Sequence, residues 1–411
     1  MIRWIIFVIV ILFIEIYSFQ AVKTAAKSKW VLLIYGIISV AFLLYLAYYF
    51  FTFDRNTAQD KRFQWTIGLF LLLYLPKIIL TLTLFSEDVF RLFQGTFQYF
   101  SKSEETTVSF LPERRKFVSQ MALALAAVPF TSLLYGMTKG KYNFKVMKQT
   151  LFFPDLPESF DGTTITHISD IHSGSFDDAE KIQYAIDLIN EQQSDLVLFT
   201  GDIVNTHASE MDPWIDTFKK IRQPALGKYS VLGNHDYGEY YNWNSKKAKE
   251  ENFKAIKDLH QRIDFKLLLN ENVEIKKGSD SIKLVGVENW GKNFKQAGDL
   301  KKASQGIQES DFKILMSHDP SHWEYEVKNH LNHYHLTLSG HTHGFQFGIE
   351  VPGWIKWSPV QYVYKQWAGL YENLGRYVYV NRGFGFHAYP GRVGIMPEIT
   401  VIELKKGENI A

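Results

Sequence analysis

The sequence contains no cysteine among its 411 residues. This absence excludes disulfide bonds, thiolate metal sites and a cysteine nucleophile together. Any metal must therefore be bound by His, Asp, Glu, Asn or water, which are ligands that hydrolytic metals accept. The absence also fits an oxidising compartment, without establishing one.

The sequence also lacks an excess of charge of either sign. Its formal net charge is +2, which gives no electrostatic argument for nucleic acid, and we expect no nucleic-acid partner. The length exceeds that of an ordinary single domain, so two units are expected. The oligomeric state is left open.

Long apolar runs are concentrated in the first third of the chain. Residues 30–53 contain no charged residue and are long enough to cross a bilayer as a helix. Residues 2–19, 65–85 and 117–135 are weaker candidates because charged or polar residues interrupt them. We predict a membrane region over residues 1–140 with about four transmembrane helices. Buried helices of a soluble domain are the alternative, which the length of the uncharged run disfavours.

Two charged residues, Glu15 and Lys77, fall inside these candidate spans. A charge within lipid is expensive unless it is paired or faces other protein. If the first and third helices run in the same direction, both residues lie at similar depth. We therefore predict that Glu15 and Lys77 form a pair.

A basic cluster, Arg114-Arg115-Lys116, precedes the last candidate span. It resembles a twin-arginine export signal, although it is internal. This interpretation predicts a multi-pass protein of the bacterial inner membrane whose following domain is extracytoplasmic. The alternative is a basic cluster that simply flanks a membrane helix, and the overall distribution of Lys and Arg does not decide between them.

From about residue 141 the pattern becomes that of a soluble α/β domain, which we predict over residues 141–411. Strands alternating with helices favour βαβ units and a layered sandwich. The predicted strands are residues 163–169, 196–200, 229–232, 282–287, 313–316, 336–338 and 377–380, and the predicted helices are residues 179–193 and 245–260.

Polar motifs follow five of these predicted strands, where each strand ends. Open α/β sheets place their sites at the carboxyl ends of strands, so the five loops can converge. Each motif alone is common, but their combination in this order is specific. The residues concerned are Asp170, His172, Asp202, Asn234, His235, Asp236, His318, His341 and His343.

The order Asp-x-His, Gly-Asp, Gly-Asn-His-Asp, His and Gly-His-x-His resembles the calcineurin-like metallophosphoesterase family, over about residues 143–411. The resemblance implies a four-layer α/β/β/α sandwich, here preceded by an all-α transmembrane region. It implies hydrolysis of a phosphoester or pyrophosphate by a hydroxide that bridges two divalent metal ions. One ion would be held by Asp170, His172, Asp202 and His343, and the other by Asp202, Asn234, His318 and His341. His235 would be the catalytic histidine.

The chemistry of these residue types agrees with that assignment. A shared carboxylate can hold two divalent ions about 3.5–4 Å apart, and such a pair makes hydroxide available at neutral pH. His235 can protonate a departing alkoxide, and Asp236 is expected to fix the orientation of its ring. Mixed nitrogen and oxygen ligands suit Mn, Fe or Zn and do not choose among them.

Three further residues are weaker candidates for substrate binding. Asn205 follows the shared aspartate and is expected to orient the site. The closing segment, residues 381–392, resembles a membrane-associated bacterial branch of the family that includes UDP-2,3-diacylglucosamine hydrolases. His387 and Arg392 in that segment are candidates for substrate contact, with a structural role as the alternative.

Residues 351–371 are rich in Trp and Tyr, which suits a membrane interface or a lipid-facing mouth. A loop packed over the core is the equal alternative. If the segment borders the site, a lipid-linked phosphodiester or pyrophosphate becomes the expected substrate. The competing functions are a protein serine/threonine phosphatase and a catalytically silent metal-binding scaffold.

Overall fold

The computed structural model describes residues 2–54, 60–100, 112–351 and 353–408. The chain forms two compact units. One comprises Met1–Asp54 and Trp65–Tyr135, and the other comprises Arg55–Gln64 and Gly136–Ala411.

The first unit is built from long apolar helices, α1 (Ile2–Ala25), α2 (Lys29–Thr52), α3 (Lys61–Phe100) and α4 (Pro112–Thr138). All four helices are long and apolar enough to cross a membrane, as predicted. Helix α3 runs for 40 residues, passes through Pro76 and extends beyond the predicted span of residues 65–85 at both ends. A proline is tolerated in a membrane helix because neighbouring groups satisfy the backbone that it frees.

The predicted pair of Glu15 and Lys77 is confirmed. Lys77 Nζ lies 2.7 Å from Oε1 and 2.8 Å from Oε2 of Glu15. Tyr74 donates a hydrogen bond of 2.7 Å to the same carboxylate, and Lys77 donates one of 2.8 Å to Ser39. The network joins α1, α2 and α3, so every charge within it has a polar partner.

The basic cluster at the start of α4 contacts acidic residues of α3. Arg115 donates to Asp88, and Arg114 Nε lies 3.4 Å from Glu87 Oε1. The two arginines therefore link neighbouring helices within this unit. Their predicted role in export stays a prediction.

The second unit contains two six-stranded sheets and a separate two-stranded ribbon. Its strands are β1 (Lys145–Phe153), β2 (Thr164–Ile168), β3 (Leu196–Phe199), β4 (Lys228–Ser230), β5 (Lys266–Leu267), β6 (Glu271–Lys277), β7 (Asp280–Gly286), β8 (Lys313–Met316), β9 (Leu336–Ser339), β10 (Ile349–Val351), β11 (Ile355–Trp357), β12 (Gly369–Asn373), β13 (Arg376–Val380) and β14 (Glu398–Lys406). Its helices are α5 (Ala179–Glu191), α6 (Ile215–Phe218), α7 (Lys246–Arg262), α8 (Leu300–Ala303) and α9 (Ser321–Tyr325).

Parallel strands form the centre of each sheet. The first sheet has the order β1-β14-β2-β3-β4-β5, with β2 to β5 parallel and β14 antiparallel to β2. The second has the order β12-β13-β9-β8-β7-β6, in which only the edge strands β12 and β6 are antiparallel to their neighbours. Strands β10 and β11 form the ribbon.

Two apolar faces on each sheet produce the predicted four layers. Ile165 and Leu198 of the first sheet share one core with Ile314 and Leu338 of the second, so the sheets pack face to face. Helices α5 and α7 cover the outer face of the first sheet, and α8 and α9 cover the outer face of the second. The α/β/β/α sandwich is confirmed. Strands buried on both faces read as continuous apolar runs, which is why they were predictable.

Candidate metal centre

The loops after β2, β3, β4, β8 and β9 bring all seven predicted metal ligands to one edge of the sandwich. Within these loops the ligand atoms of three residues, Asp170, His172 and His343, lie within 4.8 Å of one another. Asp202, His318 and His341 form a second such group. Parallel strands end at the same edge of a sheet, so the convergence follows from the topology.

Asp202 belongs to the second group and also lies close to the first. Its Oδ2 atom is 3.6 Å from Nε2 of His172 in the first group and 3.1 Å from Nε2 of His318 in the second. In the first group, Nε2 of His343 lies 3.3 Å from Oδ1 of Asp170. One carboxylate therefore reaches imidazoles of both groups.

Asn234 joins two imidazoles of the second group. Its Oδ1 atom lies 3.2 Å from Nε2 of His318 and 2.7 Å from Nδ1 of His341. Its Nδ2 group donates a hydrogen bond of 2.9 Å to Tyr240 Oη, which fixes the amide so that the oxygen faces the imidazoles. The oxygen of a neutral amide is a metal ligand that adds no charge to the site.

Five of these residues have backbones in the left-handed region. The φ angles are 53° at Asp170, 47° at His172, 60° at Asp202, 71° at His341 and 51° at His343. Such conformations cost about 1–3 kcal/mol for non-glycine residues and cluster at functional sites. The surrounding fold holds the site in a strained geometry that aims its side chains inward.

Motif glycines let the strand-end loops approach one another. A Cβ atom at Gly340 would lie 1.9 Å from Ser169 Oγ and 2.2 Å from Asp170 Oδ2. A Cβ atom at Gly233 would lie 2.2 Å from Asp202 Oδ1. Side chains at these two positions would displace the acidic residues of the site.

Hydrogen bonds on one ring nitrogen direct the other nitrogen of two histidines into the site. Nδ1 of His318 lies 2.6 Å from the carbonyl oxygen of Thr200, and Nδ1 of His172 lies 3.0 Å from Oδ1 of Asn205. Because both oxygens accept, each Nδ1 donates, and Nε2 is the nitrogen of each ring that a metal would bind in place of a proton.

Asp236 has a different role from the predicted one. It was expected to orient the ring of His235, but Nδ1 of His235 lies 2.9 Å from the carbonyl oxygen of Asn205. The Asp236 carboxylate instead accepts backbone N–H groups of Gly233, Asp202 and Ile203 at 2.8–3.0 Å. It therefore fixes the loops that carry the ligands. The sequence motif could not show this, because adjacent residues need not contact each other's side chains.

Burial and charge set the protonation of the site. Burial lowers the pKa of His172, His235 and His341, which keeps their imidazoles neutral. Burial also acts to lower the pKa of His318, but the carboxylates of Asp202 and Asp170 raise it to about 10. The two buried carboxylates thus draw a positive charge into the site.

These residues fit a divalent metal centre. Among the described residues, the buried Nε2 atom of His343 has no hydrogen-bond partner, although it lies beside Asp170. A cation between them would satisfy the nitrogen and would replace the proton that His318 takes up. The donors are imidazole, carboxylate and amide oxygen, which suits transition metals and disfavours simple Ca²⁺ or Mg²⁺ sites.

His387 and Arg392 occupy different surroundings. The ring of His387 stacks on His172 at 4.8 Å between centroids and lies 4.5 Å from the ring of His235, within the site. Arg392 is fully buried, and its guanidinium donates to the carbonyls of Gly383 and Gly385 and lies 3.1 Å from His343 Nδ1. These contacts make Arg392 a support for His343, and direct contact with a substrate stays a prediction for both residues.

Several residues that complete the site were not predicted. The Glu210 carboxylate accepts backbone N–H groups of Asn205 and His207 at 2.6 and 2.8 Å, which holds the loop after β3. Tyr364 Oη lies 2.8 Å from Nε2 of His341, and the ring of Tyr240 lies 4.7 Å from that of His235. All of these residues lie outside the strand-end motifs. Tyr364 belongs to the aromatic segment of residues 351–371, for which a position beside the site was one of the alternatives, whereas the sequence carries no signal for Glu210 or Tyr240.

The chain is similar to known phosphoesterases along most of its length. Residues 2–141 match a family described as "Probable Calcineurin-like phosphoesterase, transmembrane domain", and residues 163–345 match "Calcineurin-like phosphoesterase". The metallophosphoesterase YkuE of Bacillus subtilis is 31% identical over 71% of this chain and 97% of its own length. A transmembrane protein with metallophosphoesterase domain from Danio rerio is 27% identical over 74% of this chain and 66% of its own.

Proposed function

The chain belongs to the calcineurin-like metallophosphoesterases, and we propose that it hydrolyses its phosphate ester or pyrophosphate with two divalent metal ions. It is a membrane protein and a metal-dependent phosphoesterase. The observation that carries the two-metal proposal is the position of Asp202, whose carboxylate reaches His172 and His318 in separate groups of ligands. A single-metal site would not need a carboxylate shared in this way.

The proposal divides the ligands between the two ions as follows. One ion is held by Asp170, His172, Asp202 and His343, and the other by Asp202, Asn234, His318 and His341. When bound, the metals supply an activated water and take up negative charge on the phosphoryl oxygens. The donor set supports Mn, Fe or Zn.

The charges of the ligands favour an anionic substrate. Asp170 and Asp202 are the carboxylates of the proposed ligand set, and the other ligands are neutral. Two carboxylates offset only part of the charge of two divalent ions, so the centre stays positive and attracts a phosphate ester. The neutral amide of Asn234 preserves that excess of positive charge.

His235 is the proposed catalytic residue. The hydrogen bond from Nδ1 to the carbonyl of Asn205 fixes the ring, and Nε2 is then the nitrogen that acts on the substrate. Burial lowers the pKa of the free ring and keeps it neutral with its hydrogen on Nδ1, so Nε2 takes up a proton when the anionic phosphate ester binds. Nε2 then donates a hydrogen bond to a phosphoryl oxygen and gives that proton to the departing alkoxide. His387 packs against this ring, and we assign it to substrate binding in the same proposal.

The proposal assigns residues 1–140 to the membrane anchor and residues 141–411 to catalysis, with the catalytic part on the extracytoplasmic face of a bacterial inner membrane. The basic cluster at the start of α4 supports this side. Basic residues that flank a span tend to stay in the cytoplasm, and α4 then carries the chain across the membrane before the catalytic unit begins. Reporter fusions after Lys141 test it. If a reporter that works only in the cytoplasm is active at that position, the catalytic part lies on the cytoplasmic side and the proposed orientation is wrong.

A substrate panel tests the proposed activity. The purified full chain with Mn²⁺ is expected to hydrolyse an aryl phosphomonoester or phosphodiester and a lipid-linked pyrophosphate. A phosphoserine peptide hydrolysed faster than all of these would favour a protein phosphatase. Full activity after removal of metal would contradict the proposal.

A further inference from the structure

The ribbon of β10 and β11 has its charged and apolar faces reversed. In its register Glu350 is opposite Lys356, while Val351 is opposite Ile355. Successive side chains of a strand point to opposite faces, so the charged pair lies on one face and the apolar residues on the other. A ribbon in water normally turns its apolar face to the protein and its charges to solvent.

The charged face of the ribbon is turned towards the protein. Arg382 is buried, and its guanidinium donates two hydrogen bonds to the carboxylate of Glu350, one of them 3.0 Å long. Lys356 Nζ donates to the carbonyl of Ala368 and lies 5.0 Å from the centre of the Trp367 ring. Both charges are therefore satisfied by the catalytic unit itself.

The apolar face is turned outward. Ile349 is 52% exposed, and Trp354, at the tip between the strands, is 84% exposed. Outward apolar residues with inward polar ones are the pattern of strands that face lipid, and Trp and Tyr are enriched at membrane interfaces. The ribbon surface is defined by Phe345, Ile349, Val351, Trp354, Ile355, Tyr362 and Val363, all of which are exposed.

Both ends of the ribbon surface are adjacent in the chain to residues of the metal centre. Phe345 is two positions after His343, and Val363 precedes Tyr364, whose hydroxyl lies 2.8 Å from Nε2 of His341. A molecule with an apolar tail on this surface can therefore extend its head group towards the proposed ligands.

We propose that the ribbon surface inserts into the lipid interface of the anchoring membrane, and that the substrate is a phosphate ester with an apolar lipid portion. The substrate class rests on the proposed function, whereas the membrane contact does not. The connection between the two units favours lipid as the partner of the ribbon surface. Helix α4 ends at Thr138 and β1 begins at Lys145, so a membrane span is tethered a few residues from the catalytic unit. The catalytic unit therefore stays attached to a membrane.

The lack of cysteine permits a direct test of the membrane contact. Trp354→Cys and Leu331→Cys each introduce one thiol for a spin label, and Leu331 is a matched control because it is apolar and 99% exposed. The full chain is placed in nanodiscs of phosphatidylethanolamine and phosphatidylglycerol. We expect the label at position 354 to be reached several-fold more by oxygen than by a water-soluble nickel chelate, and the reverse at position 331. Equal access of the chelate to both labels would overturn the proposal, as would shielding of position 354 from both reagents, which indicates a protein partner.

Turnover tests the substrate class. The double variant Ile349→Ser with Ile355→Ser is expected to hydrolyse a lipid phosphate ester in the nanodiscs about tenfold more slowly, because it loses apolar contact with lipid. Its rate on p-nitrophenyl phosphate should be unchanged, and Leu331→Ser should change neither rate. An unchanged rate on the lipid ester would overturn the inferred substrate class. A wild-type chain that hydrolyses neither ester with Mn²⁺ would overturn the proposed function, while the spin-label result still decides the membrane contact.

Discussion

The side-chain oxygen of Asn205 lies 3.0 Å from Nδ1 of His172 and thereby sets which nitrogen of that imidazole faces Asp202. The backbone oxygen of the same residue lies 2.9 Å from Nδ1 of His235. One residue thus positions a proposed metal ligand and the proposed catalytic histidine. Glu210 in turn holds the backbone N–H of Asn205, so the loop after β3 acts as one rigid support.

Removing the Asn205 amide should weaken the metal centre. Asn205→Ala is expected to lower Mn²⁺ affinity and turnover about 10- to 100-fold, the usual effect of losing a group that orients a ligand. Asn205→Asp keeps an accepting oxygen and should retain more of both. Asn252→Ala is the matched control, because Asn252 donates to the carbonyl of Thr206 in the same loop. Equal losses in Asn205→Ala and Asn252→Ala would indicate a purely structural role.

The ion pair of Glu15 and Lys77 should be required for assembly of the membrane unit. Lys77→Glu places two buried carboxylates together, and breaking such a pair destabilises by about 3–5 kcal/mol. The apparent melting temperature of the purified chain in detergent should fall accordingly. The swapped double variant, Glu15→Lys with Lys77→Glu, should recover part of the loss. Failure of the double variant to recover any stability would exclude a specific pair.

Gly340 should accept no side chain. The Cβ of Gly340→Ala would lie 1.9 Å from Ser169 Oγ and 2.2 Å from Asp170 Oδ2, so Asp170 must move. We expect bound metal and turnover to fall at least about tenfold. Gly95→Ala is the control, because nothing lies within 4 Å of an added Cβ there and its φ is not in the left-handed region. Normal metal content in Gly340→Ala would show that the loop adjusts and that the close approach is not essential.

Acid should destabilise the catalytic unit through buried histidines outside the metal centre. Burial lowers the pKa of His260 to about 3 in the folded chain, against about 6.5 in the unfolded chain. The unfolded state therefore binds the proton first, and stability is complete above about pH 6.5 and falls as the pH drops towards 3. At about pH 5.5 this single group lowers the free energy of unfolding by about 1 kcal/mol.

The His260→Gln variant isolates that contribution. Between about pH 7.5 and pH 5.5 its melting temperature should fall less than that of the wild-type chain. His335, whose pKa burial lowers to about 4, remains in the variant, so part of the acid sensitivity should persist. An identical decrease in both chains would show that His260 does not carry the effect.

The proposed ligands were predictable because each of their motifs directly follows an apolar run that is recognisable as a strand. Apolar runs such as Lys313–Met316 are buried on both faces, and the motif that follows each run provides ligands at the sheet edge. The edge strand β1 has no continuous apolar run of this kind. In β1 (Lys145–Phe153) exposed polar residues interrupt the apolar ones, and it was not predicted.

The supports of the site were less predictable than its ligands. Asn205 was expected to orient the site, but its bonds to His172 and His235 depend on how two loops meet in space. Asp236 was assigned to the neighbouring ring, whereas its carboxylate accepts backbone N–H groups of three residues from two loops. The aromatic content of residues 351–371 was visible, but its reversed faces appear only once the partners of Glu350 and Lys356 are known.

The metal content of the purified full chain tests the central claim most directly. We expect two Mn, Fe or Zn ions per wild-type chain, a lower number in Asp202→Asn because the shared carboxylate is lost, and two in His235→Ala despite its loss of turnover. An unchanged metal content in Asp202→Asn, or the loss of metal from His235→Ala, would contradict the account of a bridged pair with a separate catalytic histidine.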